Sequence, residues 1–240
     1  MPLRASGFLI GKTYMKLSKR LEMVASFVRQ GSIVADIGTD HAYLPVYLIS
    51  HGISEKAFAA DIGRGPLFNA EKTVTEYGLN DKITLVLSDG LKEIDLSAVD
   101  TVILAGMGGD LIKDILSCAD IEQLKKIHII AQPQSHAEKV RSFLIQNGFE
   151  IEREDICLDS KHVYICMSAF FSGRTEYPCS YEYYGELLKN NNELVKPFIK
   201  NQIMHMRKKR DALMKASSCS EEAKMLSETI NNIEKAIGEK

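Results

Sequence analysis

Ser32-Ile33-Val34-Ala35-Asp36-Ile37-Gly38-Thr39-Asp40-His41-Ala42-Tyr43-Leu44-Pro45 runs from one apolar stretch through an acidic turn into another. Residues 32–36 have the length and β-branched content of a buried strand, and residues 43–51 read as the helix that follows it. The same pattern repeats downstream. Residues 57–61 read as a strand and 65–77 as a helix; 83–87 and 101–105 are strands, 108–117 a helix, 128–131 a strand, and 136–147 a helix ended by Gly148. Short apolar strands alternating with helices build parallel β-α-β units, with helices on both faces of one sheet.

The pattern then changes. Residues 149–157 and 163–171 are two strands joined by the short polar stretch 158–162, which predicts an antiparallel hairpin at the sheet edge. Seven strands ending in such a hairpin differ from a dinucleotide-binding sheet, which ends on a parallel strand. Upstream, Leu17, Leu21, Val24, Ala25 and Val28 mark a short amphipathic helix over 17–28. Residues 1–15 fit no element and are expected to form an extended or poorly ordered leader, as translation from a start upstream of Met15 would leave. Gly173 to Ser180 is the expected linker between an α/β domain over 16–172 and a helical segment over 181–240. In that segment Leu187, Leu194, Phe198, Ile199, Ile203, Met206 and Leu213 form one stripe. Ala223, Leu226, Ile230, Ile233 and Ile237 keep the 3-4-3-4 spacing of a coiled-coil seam. Residues 217–220 supply the turn of an antiparallel helical hairpin, with Ser220 as the helix cap.

The 240 residues are 45% hydrophobic and 26% charged, enough apolar content for a folded core. No apolar run reaches the length of a membrane span, and the patch at residues 7–10 is too short for a signal-peptide core, so a cytoplasmic chain is expected. Five scattered cysteines without a C-x-x-C pair argue for reduced thiols and against a zinc site; no metal is expected. The formal net charge of −2 conceals a strong asymmetry. Residues 1–31 carry six basic side chains against Glu22, residues 32–180 carry 13 basic against 22 acidic, and residues 189–215 carry eight basic against two acidic. Basic segments flanking an acidic middle point to an anionic polymer as partner.

Open parallel sheets bind ligands beyond the carboxyl ends of their strands. The turn after the first strand has one glycine and two carboxylates where a dinucleotide site needs G-x-G-x-x-G, and carboxylates repel a pyrophosphate. Such a turn suits a cationic ligand. Asp61, at the end of the second strand, stands where a carboxylate can accept both hydrogens of a ribose diol. Asp89-Gly90 adds an acceptor beside a sharp turn after the third. Each Asp alone is also a good turn or capping residue. Together they fit S-adenosyl-L-methionine, with Asp36 and Gly38 at the amino acid and sulfonium, Asp61 at the ribose, and Asp89 and Gly90 at the adenine. After the fourth strand, Gly106 and Met107 are expected against the cofactor, and Gly108 and Gly109 leave room for a planar acceptor. Gln132 and Pro133 end the fifth strand on the same rim, where amide groups can read a base edge.

These motifs occur in a telling order: L-S-K-R-L at 17–21, D-I-G-T-D-H-A-Y-L-P at 36–45, D-x-x-x-G-P-L at 61–67, S-D-G-L at 88–91, A-G-M-G-G at 105–109 and Q-P at 132–133. The chain from about residue 16 to 240 thereby resembles the bacterial tRNA (adenine-22-N1)-methyltransferase family, often called TrmK. It departs from the family at Gln134, where Asn is usual, and in the unusually basic cluster 207–210. The resemblance implies a class I S-adenosylmethionine-dependent methyltransferase fold, a C-terminal coiled-coil domain, and methylation of N1 of an adenine in the tRNA D-arm. It makes Asp40, His41 and Tyr43 the catalytic candidates: Asp40 to stabilise the cationic product ring or hold the adenine amino group, Tyr43 to stack on or hydrogen-bond the base, His41 to shuttle a proton. Lys19, Arg20, Lys200, Arg207, Lys208, Lys209 and Arg210 become candidate phosphate contacts in binding governed by shape and charge. Two other readings remain open from the residues: a non-catalytic module that binds RNA or a partner, and a methyltransferase acting on a small molecule or a protein. The coiled-coil stripe allows a monomer or a weak homodimer.

Overall fold

In an extended strand successive side chains point to opposite faces, and this chain fills both with apolar groups. The computed structural model describes residues 15–216 and 220–238; the expectations for residues 1–14 and for the turn at 217–219 lie outside the described residues. β1 (Ser32–Ile37), β2 (Ser54–Asp61), β3 (Ile83–Leu87), β4 (Thr101–Gly108) and β5 (His128–Ser135) pair in parallel. β6 (Phe149–Asp159) and β7 (His162–Phe171) form the antiparallel hairpin, and β7 also runs antiparallel to β5. The strand order is β3-β2-β1-β4-β5-β7-β6, so the chain reverses its direction of winding between β1 and β4.

Val34, Ile103, Ile130 and Cys166 of the sheet pack against α1 (Lys19–Ala25), α2 (Tyr43–Ser50) and α3 (Arg64–Glu76). Their neighbours in sequence, Ala35, Val102, Leu104, Ile129 and Ala131, face the other layer. That layer is α4 (Gly109–Ser117), the short α5 (Ile121–Leu124) and α6 (Ala137–Gln146). Both faces being buried explains why these strands read as continuous apolar runs.

β2 begins three residues before its expected start, at Ser54, and β4 and β5 run furthest past their expected carboxyl ends. β4 continues through the glycines to Gly108 and β5 through Pro133 to Ser135, with irregular register at Ala105/Met107 and Met107/Gly108. Bulges let a glycine-rich segment stay in the sheet while turning its backbone, which the apolar pattern alone does not reveal. The β6–β7 connection is correspondingly tight, with Ser160 at φ +58°.

The C-terminal part consists of α7 (Tyr181–Tyr184), a 3₁₀ turn over Gly185–Lys189, α8 (Val195–Ala216) and α9 (Glu221–Ala236). The single stripe expected from Leu187 to Leu213 is broken before α8. Asn190 and Asn192 accept hydrogen bonds from the backbone N–H groups of Asn192 and Leu194, each at 3.0 Å, so the segment turns instead of coiling. α8 and α9 pack antiparallel, with Lys209 paired to Glu222 and Arg207 to Glu234. Ala223, Ile230 and Ile233 are buried, and the Ser220 hydroxyl caps α9 at the Ala223 N–H. Tyr181, Leu187, Ile199, Ile203 and Ile233 belong to the same apolar cluster as Val140, Leu144 and Ile151, so sheet and helices share a core.

That junction is pinned by charge. Arg141 of α6 donates from Nε to Glu154 of β6 at 2.8 Å, and both side chains are wholly buried. Arg141 also donates to the Glu182 carbonyl at 2.8 Å, and the second Glu154 oxygen accepts from the Glu186 N–H at 2.6 Å. Gly185 covers the pair at φ +55°; a Cβ there would lie 1.9 Å from Glu154 Oε2. Burial pushes the Glu154 carboxyl upward while the Arg141 guanidinium draws it back down. Beside the pair, Asn190 and Asn192 donate to the Glu154 and Ile156 carbonyls of the edge strand at 3.2 and 2.9 Å.

Removing only one member of such a pair strands a buried charge. Arg141→Met is expected to lower stability by about 3–5 kcal/mol in urea unfolding. Adding Glu154→Gln to the same chain, which removes that charge and keeps an acceptor for Glu186, is expected to restore more than half of the loss.

Candidate active site

The reversal between β1 and β4 opens a crevice at the carboxyl ends of the strands, and the expected strand-end residues collect along it. A cleft of about 270 Å³ is lined by Asp36, Gly38, Thr39, Asp40, His41, Tyr43 and Ala105, with Arg20 on one side. Asp36 is only 7% exposed, and burial pushes its carboxyl up to about 6 against the opposing pull of Thr39 and Arg20. Gly38 sits at φ +78°, its N–H and that of Thr39 both donating to the Ala60 carbonyl at 2.8 and 2.9 Å. A Cβ on Gly38 would lie 2.3 Å from Met107 Cε, so β1 and β4 meet across this glycine.

Beyond Gly38 the chain turns outward. Ala42 adopts φ +54° while fully buried, a strained conformation for a residue with a Cβ. The turn carries His41 and Tyr43 to the cleft mouth, where their rings stack 4.9 Å apart at 6°. Tyr43 is 44% exposed, so the aromatic pair presents a face to solvent. Asp40 Oδ2 lies 3.4 Å from His41 Nε2 and is itself well exposed.

Along the other arm, Asp61 uses Oδ1 to accept from the Gly63 N–H at 2.7 Å, which leaves Oδ2 without a hydrogen-bond partner among the described residues. Ile62 beside it is 71% exposed. Asp89 is exposed and paired with Lys92 at 2.5 Å. Gly90, at φ +64°, packs where a Cβ would touch Ile115 at 3.0 Å, and the buried Ser88 hydroxyl donates to its carbonyl at 2.9 Å. A second, larger groove of about 470 Å³ is lined by Asp89, Leu91, Leu111 and Ile115. Leu111 on this groove and Ile62, directly after the strand-end Asp61, are exposed apolar residues that the sequence motifs do not single out.

The acceptor side differs most from expectation. Gln132 is fully buried, and its amide faces the protein: Oε1 accepts from the Gly106 N–H at 3.1 Å and from Arg20 at 2.8 Å, and Nε2 donates to the Pro133 carbonyl at 3.1 Å. Its task is therefore to hold the bulge at Gly106, φ +82°, and the exposed amide on this rim belongs to Gln134. Pro133 is buried opposite Met107. Gly108 packs under Ser135, and Gly109 is buried where a Cβ would meet the His136 carbonyl oxygen at 2.2 Å. Packing thus requires glycine at 109. Asp110, His136 and Lys139 form an ion cluster that ties the first turns of α4 and α6 together.

The basic candidates separate into two places. Arg20 belongs to the cleft, and Lys19 is exposed beside it. Lys200 and residues 207–210 lie on α8 and do not line the cleft. Within that cluster Arg207 and Lys209 bridge to α9, Arg210 pairs with Asp211 at 2.7 Å, and Lys208 has no ion-pair partner among the described residues. Among the described residues no group of side chains could hold a metal, and no helix is long and apolar enough to cross a membrane.

The residues at the rim fit S-adenosylmethionine. The Asp36 carboxylate in the cleft would suit an ammonium group, Gly38 leaves a surface free of side chain, and the open Asp61 oxygen would suit a ribose hydroxyl. A model of the methyltransferase domain matches residues 17–167. The tRNA (adenine(22)-N(1))-methyltransferase of Bacillus subtilis strain 168 is 39% identical over 142 residues, 59% of this chain, and the matched region spans 60% of that relative. The crystal structure of the B. subtilis m1A22 tRNA methyltransferase TrmK superposes with a TM-score of 0.84 at 29% identity, covering 93% of this chain and 99% of that one. A candidate tRNA (m1A22) methyltransferase from Streptococcus pneumoniae, solved with S-adenosyl-L-methionine, gives a TM-score of 0.75 at 32% identity over 92% of this chain and 100% of that one.

Gly109→Ala is expected to destabilise the protein by at least about 2 kcal/mol, because backbone on both sides must move to admit the methyl group. Thermal unfolding checks it. Gly65→Ala, which meets nothing within 4 Å, is the control and is expected to leave the midpoint within a few degrees.

Proposed function

The chain belongs to the methyltransferase-domain family, and within it to the bacterial tRNA (adenine-22-N1)-methyltransferase family; on that premise we propose that it transfers a methyl group from S-adenosylmethionine to N1 of adenine 22 in the D-arm of tRNA. One observation carries the acceptor side of the reading. The His41–Tyr43 stack stands at the mouth of a cleft floored by Asp36 and Gly38, so an aromatic platform adjoins the cofactor pocket.

S-adenosylmethionine supplies an electrophilic methyl group on a sulfonium. Asp36 binds its ammonium end and Asp61 its ribose; Ile62 and Leu111 offer apolar surface for the adenine near Asp89. N1 of the acceptor adenine carries an in-plane lone pair and no proton, so no general base is required. Positioning that lone pair in line with the methyl group is the main contribution of the protein. The base leaves its place in the folded tRNA at a cost of a few kcal/mol, and stacking on Tyr43 recovers about 1–3 kcal/mol. His41 then acts as support for Tyr43, since no proton has to move. The methylated ring is cationic, and the Asp40 carboxylate at the mouth stabilises the charge as it develops. Lys19, Lys200 and Lys208 contact phosphates, with recognition by shape and charge and the site of action in the cytoplasm.

The direct test is transfer of labelled methyl from S-adenosylmethionine to unmodified bacterial tRNA, followed by nucleoside mass spectrometry. The expected product is 1-methyladenosine, lost when adenine 22 is replaced. Cofactor binding without RNA methylation would instead favour a binding module or a small-molecule or protein acceptor. Asp40→Asn is expected to lower kcat about 10- to 100-fold with the cofactor Kd unchanged. Asp36 must be ionised to receive an ammonium, and its carboxyl titrates near 6, so cofactor affinity should fall as the pH drops through 6, by up to tenfold per unit. Calorimetry from pH 8 to 5 checks this, and Asp36→Asn should flatten the profile.

A further inference from the structure

The parallel strands β1 to β5 are joined through α-helices at every crossover but one. Between β3 and β4, residues 88–100 contain only a 3₁₀ turn over Leu96–Ala98. The groove of about 470 Å³ is walled by this stretch and by α4. Leu111, Asp114, Ile115 and Cys118 fall at i, i+3, i+4 and i+7 on α4 and its C-cap, and all four line it. Leu91, Ile94 and Leu96 line it from the loop. Among these apolar side chains stand four carboxylates, Asp89, Asp95, Asp114 and Asp120, against one cation, Lys92. The volume is that of a small-molecule site. Two of the carboxylates are fixed by backbone. Asp95 Oδ1 accepts from the Ser97 N–H at 2.9 Å and from its hydroxyl at 2.6 Å, and Asp120 Oδ1 accepts from the Glu122 N–H at 2.9 Å. Each leaves Oδ2 without a hydrogen-bond partner among the described residues. The Ser97 hydroxyl and N–H hold the Asp95 carboxyl below its usual range, so it stays ionised.

We infer that this groove binds a linear aliphatic polyamine, its ammonium groups on Asp95 and Asp120 and its methylenes on Leu91, Ile94, Leu111 and Ile115. The carboxylates repel the phosphates of a nucleic acid. A metal ion needs converging ligands, and among the described residues no group of side chains could hold one. A cation whose charges are spread along an apolar chain meets both features of the groove at once. Lys92 already makes such a contact: its own alkyl chain ends in an ammonium on Asp89, at 2.5 Å. Of the lining, only Asp89 and Leu111 enter the cofactor reading, and Asp36, Gly38 and Asp61 line none of it. The site is therefore additional to the methyl-transfer cleft and does not rest on that reading.

Calorimetry on the full chain compares spermidine with two probes of the same charge. Cobalt(III) hexaammine is compact and has no methylenes; acetylated, amidated trilysine carries a polar peptide backbone. Spermidine is expected to bind at least about tenfold more tightly than either, through the methylenes it buries. Asp95→Asn and Asp120→Asn, which keep a capping oxygen, should each weaken spermidine about 2- to 5-fold. The two losses should multiply in the double variant, with S-adenosylmethionine affinity unchanged. Alkylation of Cys118, an exposed thiol on the groove, should slow in the presence of spermidine while the exposed Cys179 reacts at its usual rate. Equal affinity for cobalt hexaammine would reduce the effect to diffuse charge attraction, and tighter binding of trilysine would give the groove to a basic protein segment. Loss of spermidine binding in Asp36→Asn would put the cation in the cofactor cleft. Each of these results overturns the assignment, as does a wild-type chain that does not bind spermidine. If the asparagine variants fail to fold, labelling of wild type decides, and an unchanged Cys118 rate at saturating spermidine refutes the site.

Discussion

A guanidinium and a carboxylate, both out of reach of water, meet where the sheet joins the helices, and the surrounding chain supplies partners for both carboxylate oxygens and for two of the three guanidinium nitrogens. Ionised groups in such a place are costly unless paired and hydrogen-bonded, and the Arg141–Glu154 pair recruits backbone groups at residues 182 and 186 for that purpose. Apolar packing alone between α6 and the C-terminal segment would tolerate sliding. Directional bonds to a buried charge do not, and Gly185 closes over the pair as a side chain could not. The interaction therefore sets orientation as well as cohesion. It holds α8, with its exposed lysines, in a defined relation to the cleft at the rim of the sheet.

At the rim the limiting factor is backbone geometry. β4 and β5 stay paired past the point where regular strands would end, and this is possible because Gln132 accepts the Gly106 N–H that the bulge leaves over. The same oxygen orients Arg20, so the glycine bulge and the charged wall of the cleft are held by one side chain. Strained residues begin the adjoining helices: Ala42 precedes α2 and His136 precedes α6, both at positive φ. Strain gathered at these two turns is sustained by the packed strands beneath them.

Much of this was legible in the sequence, for identifiable reasons. Strands buried on both faces announce themselves as apolar runs, and the hairpin followed from two such runs with no room for a helix between them. The acidic strand ends located the cleft because topology alone brings Asp36 and Asp61 to one crevice. Other features depended on partners far away in sequence. Gln132 has the same amide whether it faces a base or the Gly106 backbone, and only the fold decides which. Arg20 and Lys19 are neighbours of like charge, one lining the cleft and the other exposed, and the Arg20 backbone is held by a bond to Asp159 that no local pattern contains. Asn190 and Asn192 broke the expected helical stripe through hydrogen bonds to backbone, both local and on β6. Arg141 and Glu154 look like any other charged residues until their burial is known.

The two asparagines that interrupt the stripe also close an opening. β6 lies at the end of the sheet and, left bare, would offer a row of unpaired carbonyls to any extended peptide. Asn190 and Asn192 occupy two of those carbonyls, and the 3₁₀ turn before them lies along the strand. The C-terminal segment thus acts as a selvedge that keeps the sheet from unravelling or from knitting onto a neighbour. A version ending after β7 would lose its helices and, with them, the cover over this edge, leaving its carbonyls open to a second copy.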